Sequence, residues 1–546
     1  MTVAAGSGVS VRLPTWVAAV VLAAAGMLAA LTETVFPSIF GTENRLDAIR
    51  LSVGALGLVL AFHAANQFWH LPWRKPSFTI ALAFLGCLAA GWLAGVSWPN
   101  SGDEYSYTVL ADTLLAGRLS NPAPPDPELF QNFHVLVNQG RTFSPYPLAW
   151  SALLVPFRAL GIMWLANPLL TVLLGAALVA ALGKLDVAPI VRNPALVLVL
   201  LTPFTLFLGG SLFPQTMACA LVACIVWAQL ADEERPRIGL KLLIGALFGT
   251  LLLSRPDVFA IVALAYAIDR VVARRLRVVA DGLLVMLGAL PFVACLAAYN
   301  AGVTGSPLQL TSTWVVPEDI NVFGDSVGAT LVHAGFKDLY WLGCLAQFGG
   351  LPVLVLAGMA LVVTIRHRTC RFYDFLFPAA ILFYSLVPFT GGHQYGPRYW
   401  FWAWPLSILT IARGLVDEAG YFRIGRGRVS FEGFTTACLV FATGAFCVLL
   451  VTTHAYLDLR RAVFNGPQPE SRAIVLLPSR SLWVWPWQDR QVYASNRDFT
   501  RNDLDYGARV LFGRADAPDA AARACRLGRE VYRWEQPGRL VPVACQ

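Results

Sequence analysis

The chain has 546 residues, of which 57% are hydrophobic and 14% are charged, and its mean hydropathy is +0.59. An average soluble domain carries about 25% charged residues, so this composition excludes a single soluble core and predicts a protein that crosses a membrane many times. The net charge of +8 does not require a nucleic-acid partner, because membrane proteins concentrate arginine in their cytoplasmic loops.

Apolar segments recur along the chain from residue 14 to residue 452, and about thirteen of them approach the ~20 residues that a membrane-spanning helix needs. The first, near Trp16 to Leu31, lacks a clear cleavage site and is interpreted as a retained span. The segment Leu148 to Gly161 is short and contains Pro156 and Arg158, so we expect a helix in the outer interface. The predicted fold class is therefore mainly α, a polytopic helical bundle over residues 1–452.

Arginine is unevenly distributed between alternate loops. Two loops show the enrichment most clearly: Arg270, Arg274, Arg275 and Arg277 in one, and Arg413, Arg423, Arg426 and Arg428 in the other. If these loops are cytoplasmic, the N-terminus is cytoplasmic and the polar C-terminal tail is exported. We expect a multi-pass protein of the inner (plasma) membrane with its chemistry on the outer side.

The composition becomes polar and arginine-rich from about Thr453, which predicts a small exported α/β domain over residues 453–546. The predicted elements are strands at Ala473–Leu477, Arg509–Phe512 and Val531–Trp534, and a helix at Asp516–Arg526 with Asp516 as its N-cap. Cys525 and Cys545 are the cysteines of this polar tail, and an oxidising compartment allows a disulfide between them.

The polar loop 97–147 follows an apolar segment and contains two adjacent carboxylates, Asp103 and Glu104. A carboxylate near a membrane boundary can serve as a general base for a hydroxyl group, and a pair can instead hold a divalent cation. The structural alternative is a solvated first turn of a helix running from Tyr105 to Leu115.

The wider loop resembles a known family. It contains Asp103-Glu104-x-x-Tyr107, then Gly117-Arg118-Leu119, and ends with Ser144-Pro145-Tyr146-Pro147-Leu148-x-Trp150. This pattern resembles the first exported loop of GT-C glycosyltransferases of the protein O-mannosyltransferase and lipid A aminoarabinose-transferase type. The chain departs from the family in having no lysine and no double proline in the last element, and in placing the loop after the third apolar segment.

The resemblance implies a GT-C-type bundle and an inverting glycosyltransferase with Asp103 as catalytic base and Glu104 in support. It also implies a polyprenyl-phosphate-linked sugar as donor and a lipid, glycan or protein as acceptor. Tyr107 and Tyr146 match the family pattern and are candidate substrate contacts.

The departing phosphate needs cations, and the outer side offers Arg141, Arg255 and Arg398. Arginine binds phosphate bidentately and stays charged. The segment 391–400 adds His393 and Tyr395 as candidate substrate contacts, although aromatic residues at a span end are also expected as interfacial anchors.

His134 completes the candidate substrate contacts, although a histidine in a loop is more often simply polar. The chain contains no phosphate-cradling glycine-rich loop and no soluble inner domain for a nucleotide sugar, which favours a lipid-linked donor.

The alternative function is a polytopic transporter or lipid flippase, which would place ionisable residues within spans and break helices near the midplane. A structural subunit that has lost catalysis is a third possibility. The almost charge-free middles of the apolar segments favour the enzyme.

Overall fold

The structure is a computed structural model, which describes residues 15–35, 43–65, 70–130, 132, 134–272, 278–311, 327–387, 395–424, 427–465, 468–477, 502–536 and 539–545. The helices of these ranges are α1 (Thr15–Val35), α2 (Glu43–Ala65), α3 (Pro76–Leu93), α4 (Gly102–Leu115), α5 (Pro127–Phe130), α6 (Leu148–Ala159), α7 (Ala166–Lys184), α8 (Pro189–Leu200), α9 (Pro203–Gly210), α10 (Gln215–Glu234), α11 (Ile238–Ser254), α12 (Pro256–Val272), α13 (Val278–Thr304), α14 (Val327–Gln347), α15 (Leu351–Arg366), α16 (Leu376–Leu386), α17 (Ser407–Gly414), α18 (Phe431–Asn465) and α19 (Ala520–Arg526). The strands are β1 (Asn121–Pro122), β2 (Leu136–Asn138), β3 (Arg141–Phe143), β4 (Tyr421–Ile424), β5 (Gly427–Ser430), β6 (Ala473–Leu477), β7 (Val510–Arg514), β8 (Glu530–Gln536) and β9 (Arg539–Val543).

The bundle is built from apolar helices. Within the described ranges, six helices are long and apolar enough to cross a membrane, namely α2, α3, α7, α10, α13 and α18, or up to eight if each of two bent helix pairs is one span. A multi-pass membrane protein is therefore confirmed, whereas the number of about thirteen spans stays a prediction. The helix expected from Leu148 is present as α6, and its interfacial position stays a prediction.

The two bends have local causes. α8 and α9 meet at 63°, where Pro203 lacks the N–H that would continue the helix and Thr202 caps α9. α14 and α15 meet at 113°, and Gly349 between them has a left-handed φ of 75°, which glycine adopts without a steric penalty.

Close helix crossing depends on small residues. A Cβ atom at Gly245 of α11 would lie 2.0 Å from the carbonyl oxygen of Val285, and one at Gly288 of α13 would lie 2.2 Å from that of Leu242. These two helices can approach this closely only because neither glycine carries a side chain.

Ion pairs hold the end of the bundle where α10 terminates. Glu233 accepts hydrogen bonds from Arg270 and Arg371, each at 2.5 Å, and Arg413 contacts Asp374 at 2.5 Å. The sequence indicated only basic loops here, but several of these arginines have acidic partners on neighbouring helices.

Residues 468–477, 502–536 and 539–545 form a C-terminal unit with a four-stranded sheet of order β7-β6-β8-β9. β6 pairs in parallel with β7 and β8, and β8 pairs antiparallel with β9. All residues of β6 are buried, as expected of a strand covered on both faces. The strand predicted at Ala473–Leu477 is confirmed with the same bounds, and the other two predicted strands are present with slightly shifted ends.

The helix of the C-terminal unit begins later than predicted. Asp519 occupies the N-cap position of α19, so the prediction of Asp516 as N-cap is wrong. The left-handed φ of 52° at Asp519 interrupts helical geometry, and Asp516 pairs instead with Arg514 at 3.1 Å. A disulfide joins Cys525 to Cys545.

The loop 97–147 packs on both faces of this sheet. Leu129 and Phe130 of α5 are buried in the apolar cluster that includes Ile474 of β6. Trp98 packs against the opposite face, in the cluster that includes Val475. The loop and the sheet therefore share their cores.

Polar contacts reinforce this attachment. Arg523 of α19 lies 3.1 Å from Asp126 and 2.5 Å from Glu128. The Tyr105 hydroxyl of α4 lies 3.3 Å from the backbone N and 3.4 Å from the backbone O of Asn502. α4 is thus tied to the C-terminal unit as well as to the bundle.

Truncating Leu129 should destabilise the C-terminal unit, because its side chain is fully buried between the loop and the sheet. We expect Leu129→Ala to cost about 2–5 kcal/mol in that unit and to raise amide hydrogen exchange in β6 and β7. Leu115→Ala is the matched control, since Leu115 is 48% exposed. Equal exchange in the two variants would contradict a shared core.

Candidate active site

α4 begins at a tightly constrained position. Its N-cap Ser101 accepts a hydrogen bond through Oγ from Glu104 N at 3.2 Å. The His134 ring lies so close to Gly102 that a Cβ atom there would be 1.9 Å from His134 Cδ2. The absence of a side chain at Gly102 therefore lets His134 reach the start of α4.

The Asp103 carboxylate accepts hydrogen bonds on both oxygens. Tyr146 Oη donates to Oδ1, and Arg398 Nη2 donates to Oδ2 at 2.5 Å. His134 Nδ1 lies 3.3 Å from Oδ1 and 2.9 Å from Tyr146 Oη. Burial raises the pKa of Asp103, but the charges of Arg398 and His134 and the hydrogen bonds outweigh burial and hold this pKa below its usual 3.8. Asp103 is therefore ionised at neutral pH.

Glu104 has a different environment from its neighbour. It is fully buried, and its oxygens accept hydrogen bonds from the backbone N–H of Asn100 at 2.9 Å and of Leu212 at 3.0 Å. Burial raises the pKa of Glu104 to about 7, although the two N–H donors oppose the rise. Glu104 thus attaches the start of α4 to the connection between α9 and α10.

A second carboxylate–guanidinium pair lies between α11 and α12. Arg255 donates to Asp257 from Nε at 3.0 Å and from Nη2 at 2.6 Å, which is a bidentate contact. Tyr384 of α16 donates its hydroxyl to Asp257 and lies 3.2 Å from Arg255 Nη2. Side chains of α12 and α16 thereby fix the Arg255 side chain.

The Tyr399 ring joins the two ion pairs. The Cζ atoms of Arg255 and Arg398 lie 5.3 Å and 5.5 Å from its centroid, and Tyr384 stacks on it at 5.1 Å. Arg398 also lies over the Phe213 ring, with Cζ 4.2 Å from the centroid. We call the resulting group the two-pair cluster: Asp103, Arg398, Asp257, Arg255, Tyr146, His134, Tyr384 and Tyr399.

The remaining candidate residues differ in whether they lie beside the two-pair cluster. Tyr107 is buried with its ring 4.7 Å from Tyr146, beside the two-pair cluster. Tyr395 accepts a hydrogen bond from Asn100 Nδ2 at 3.1 Å and so supports the segment before α4. Arg141 is exposed on β3 and contacts no member of the cluster in the described part of the chain. His393 lies outside the described residues.

In this arrangement the oxygens of the acidic pair already accept hydrogen bonds, and a divalent cation at the pair stays a prediction. Glu104 directs its oxygens to backbone N–H groups, and Asp103 directs its oxygens to Tyr146 and to the cationic Arg398. A cation would compete with these hydrogen-bond donors for the carboxylate oxygens. Over the described ranges, no group of three or more His, Cys, Asp or Glu side chains is arranged to hold a metal.

Asp257, Tyr384, Tyr399 and Phe213 are site residues that are not among those predicted from the sequence. Asp257 and Tyr399 could have been found from the sequence, since each lies within two positions of an arginine that was selected as a candidate. Tyr384 and Phe213 lie within or beside apolar segments, and only the tertiary packing reveals their contacts with the guanidinium groups.

No protein-family model matches the sequence, and no curated protein sequence matches it. Solved structures do match in three dimensions. ArnT from Cupriavidus metallidurans bound to undecaprenyl phosphate is similar to the chain with a TM-score of 0.45 and 14% identity, over 73% of this chain and 82% of that one.

Two other similar structures are an oligosaccharyltransferase from Archaeoglobus fulgidus and the arabinofuranosyltransferase AftD from Mycobacteria. The first has a TM-score of 0.39 and 11% identity, over 74% of this chain and 62% of that chain. The second has a TM-score of 0.43 and 14% identity, over 82% of this chain and 32% of that chain. All are GT-C glycosyltransferases, the class that the sequence resemblance indicates. At TM-scores below 0.5, these similarities assign no residue and no substrate to the chain.

The environment of Glu104 predicts a pH dependence of stability. Its folded pKa of about 7 lies above the ordinary 4.5, so between these values the folded state retains a proton that the unfolded state releases. The Glu104 contribution to the free energy of unfolding should therefore fall as pH rises through this window, by at most about 1.4 kcal/mol per pH unit.

Thermal unfolding of the wild type and of Glu104→Gln from pH 4.5 to pH 7 would measure this effect, since 4.5 and about 7 bound the window. The stability difference, wild type minus variant, should decrease as pH rises. A difference that is constant or increases with pH would contradict the raised pKa.

Proposed function

We propose that the chain is an integral-membrane glycosyltransferase that moves a sugar from a polyprenyl phosphate to an acceptor on the extracytoplasmic side. The observation that supports this most strongly is the Asp103 carboxylate, 15% exposed and paired with Arg398, whose guanidinium shares the Tyr399 ring with Arg255. This arrangement combines a base for a hydroxyl group with cations for a phosphate leaving group. The arginine distribution supports an exported site and a cytoplasmic N-terminus. A bacterial-type inner membrane is part of the same proposal.

In the proposed reaction, Asp103 accepts the proton of an acceptor hydroxyl as the oxygen attacks the anomeric carbon. The bond between that carbon and the phosphate oxygen breaks, and the polyprenyl phosphate leaves with the electron pair. Attack in line with the leaving group inverts the anomeric centre. Arg255 and Arg398 stabilise the negative charge of the departing phosphate.

A cavity of about 580 Å³ between α14, α15, α16 and α17 supports a position for the donor's apolar chain. Most of its lining is apolar, and the lining residues Ser385 and Leu386 directly follow Tyr384 of the two-pair cluster in the chain. None of Asp103, Arg255 and Arg398 lines this cavity. We propose that part of the polyprenyl chain occupies it, while the phosphate reaches the arginines beyond Tyr384.

A transporter or lipid flippase remains the second candidate, because the α8–α9 and α14–α15 pairs are bent as in transport proteins with broken helices. That function needs no base at Asp103. The consequence of removing the Asp103 charge therefore separates the two candidates.

Asp103→Asn should lower the rate of sugar transfer by about 10²–10⁴-fold, because the amide cannot accept the acceptor's proton. The measurement is mass-spectrometric detection of polyprenyl phosphate released from membrane lipid extract by the purified protein in nanodiscs. Asp112→Asn is the control, since Asp112 lies on the same helix and pairs with Arg158 away from the cluster. Transfer by Asp103→Asn at near wild-type rate would reject the proposed function.

Arg255→Lys should raise the donor KM by about tenfold or more. Lysine keeps the positive charge but cannot make the bidentate contact with Asp257 by which the Arg255 guanidinium is oriented. Arg158→Lys is a matched control, because Arg158 makes a bidentate contact with Asp112 at a side-chain exposure of 45%. A donor KM that responds equally to both substitutions would contradict phosphate binding by Arg255.

A further inference from the structure

The proposed base is strongly paired in this structure. Both oxygens of Asp103 accept hydrogen bonds, one of them from the Arg398 guanidinium at 2.5 Å, and the side chains are 15% and 6% exposed. A carboxylate that is stabilised in its charged form by a buried guanidinium is a weak base. The arrangement therefore describes a resting state, which has to change before Asp103 can take a proton.

Arg398 has unused hydrogen-bonding capacity. A guanidinium has five N–H donors, yet the buried Nε of Arg398 has no hydrogen-bond partner among the described residues. The group contacts Asp103 and Tyr399, and it lies over the Phe213 ring. Because a buried donor without a partner is costly, this guanidinium is suited to a second anion.

Arg255 differs from Arg398 in that its Nε has a hydrogen-bond partner. Its Nε and Nη2 are both used on Asp257, and Nη2 also lies near the Tyr384 hydroxyl. A bidentate pair braced by a third side chain is held in place. Of the two arginines in the two-pair cluster, Arg398 is therefore the one that can change partner.

We infer that Arg398 is a shared cation, which pairs with Asp103 in the resting protein and is taken over by the phosphate of an incoming prenyl phosphate ester. The inference rests on the proposed function, since it names the donor phosphate as the second partner. The phosphate replaces one negative charge by another at Arg398, and Asp103 loses its closest cation. The base becomes effective only when a donor is bound, and an empty site does not activate water.

The inference predicts competition between a carboxylate and a phosphate for one guanidinium, which binding alone can measure. The probe is geranyl phosphate, titrated calorimetrically into the full chain in nanodiscs. Asp103→Asn should bind it about tenfold more tightly than the wild type, because Arg398 no longer has a competing anion. Arg398→Gln should bind at least about tenfold more weakly, and the double variant should match Arg398→Gln.

The double variant distinguishes sharing from simple charge repulsion. A gain from Asp103→Asn that persists in the Arg398→Gln background would come from the lost charge alone and would overturn the inference. An unchanged or weaker affinity of Asp103→Asn would also overturn it. Asp103→Ala, as a second variant that removes the charge, should shift the affinity in the same direction, and size-exclusion chromatography checks the folding of each variant.

Inorganic phosphate tests whether the ligand is a lipid head group. It should bind more weakly than geranyl phosphate, because it lacks the apolar chain; equal affinities would overturn the assignment of a prenyl ester. The binding data are also independent of turnover. If sugar transfer fails while Asp103→Asn binds geranyl phosphate more tightly through Arg398, the proposed function falls and the shared cation stands. If sugar transfer proceeds while Asp103→Asn does not bind geranyl phosphate more tightly, the shared cation is rejected and the proposed function stands.

Discussion

A largely buried carboxylate, Asp103 at the start of α4, is the constraint on which the rest of the site depends. An isolated charge at such a position would cost several kcal/mol or would be neutralised by a proton. Asp103 stays charged because Arg398, Tyr146 and His134 surround it. These partners come from distant parts of the chain, so the packing of the fold has to keep their side chains close to Asp103.

The adjacent Glu104 shows how that order is achieved. Asp103 belongs to the two-pair cluster, whereas Glu104 accepts hydrogen bonds from the backbone N–H groups of Asn100 and Leu212. Trp98 and Leu129 anchor the same loop in both faces of the C-terminal sheet. One carboxylate is thus available for chemistry because its neighbour and the C-terminal unit fix the helix that carries both.

Some of this arrangement could be predicted from the sequence and some could not. Asp103, Arg255 and Arg398 could be selected because charged residues beside apolar segments are costly without a function. β6 could be predicted because its apolar run is bounded by polar residues. Tyr384 could not be selected, since an aromatic residue in an apolar segment gives no local sign that its hydroxyl meets a carboxylate 127 positions away.

The same limit applies to other residues. Arg141 could be selected as a phosphate ligand only because it is an arginine of the outer loop. β3 places it at the surface, and its position is decided by the pairing of β3 with β1 and β2. The helix bends at Pro203 and Gly349 were not predicted, because both places lie within continuous apolar segments and the bend angles depend on packing.

The central claim is that the arginines of the two-pair cluster receive the phosphate of a prenyl-linked donor. A cryo-EM structure of the chain in nanodiscs with undecaprenyl phosphate tests it most directly. The phosphate density should lie within hydrogen-bonding distance of Arg398 and Arg255, with Asp103 facing the same space. Phosphate density remote from both guanidinium groups would contradict the claim.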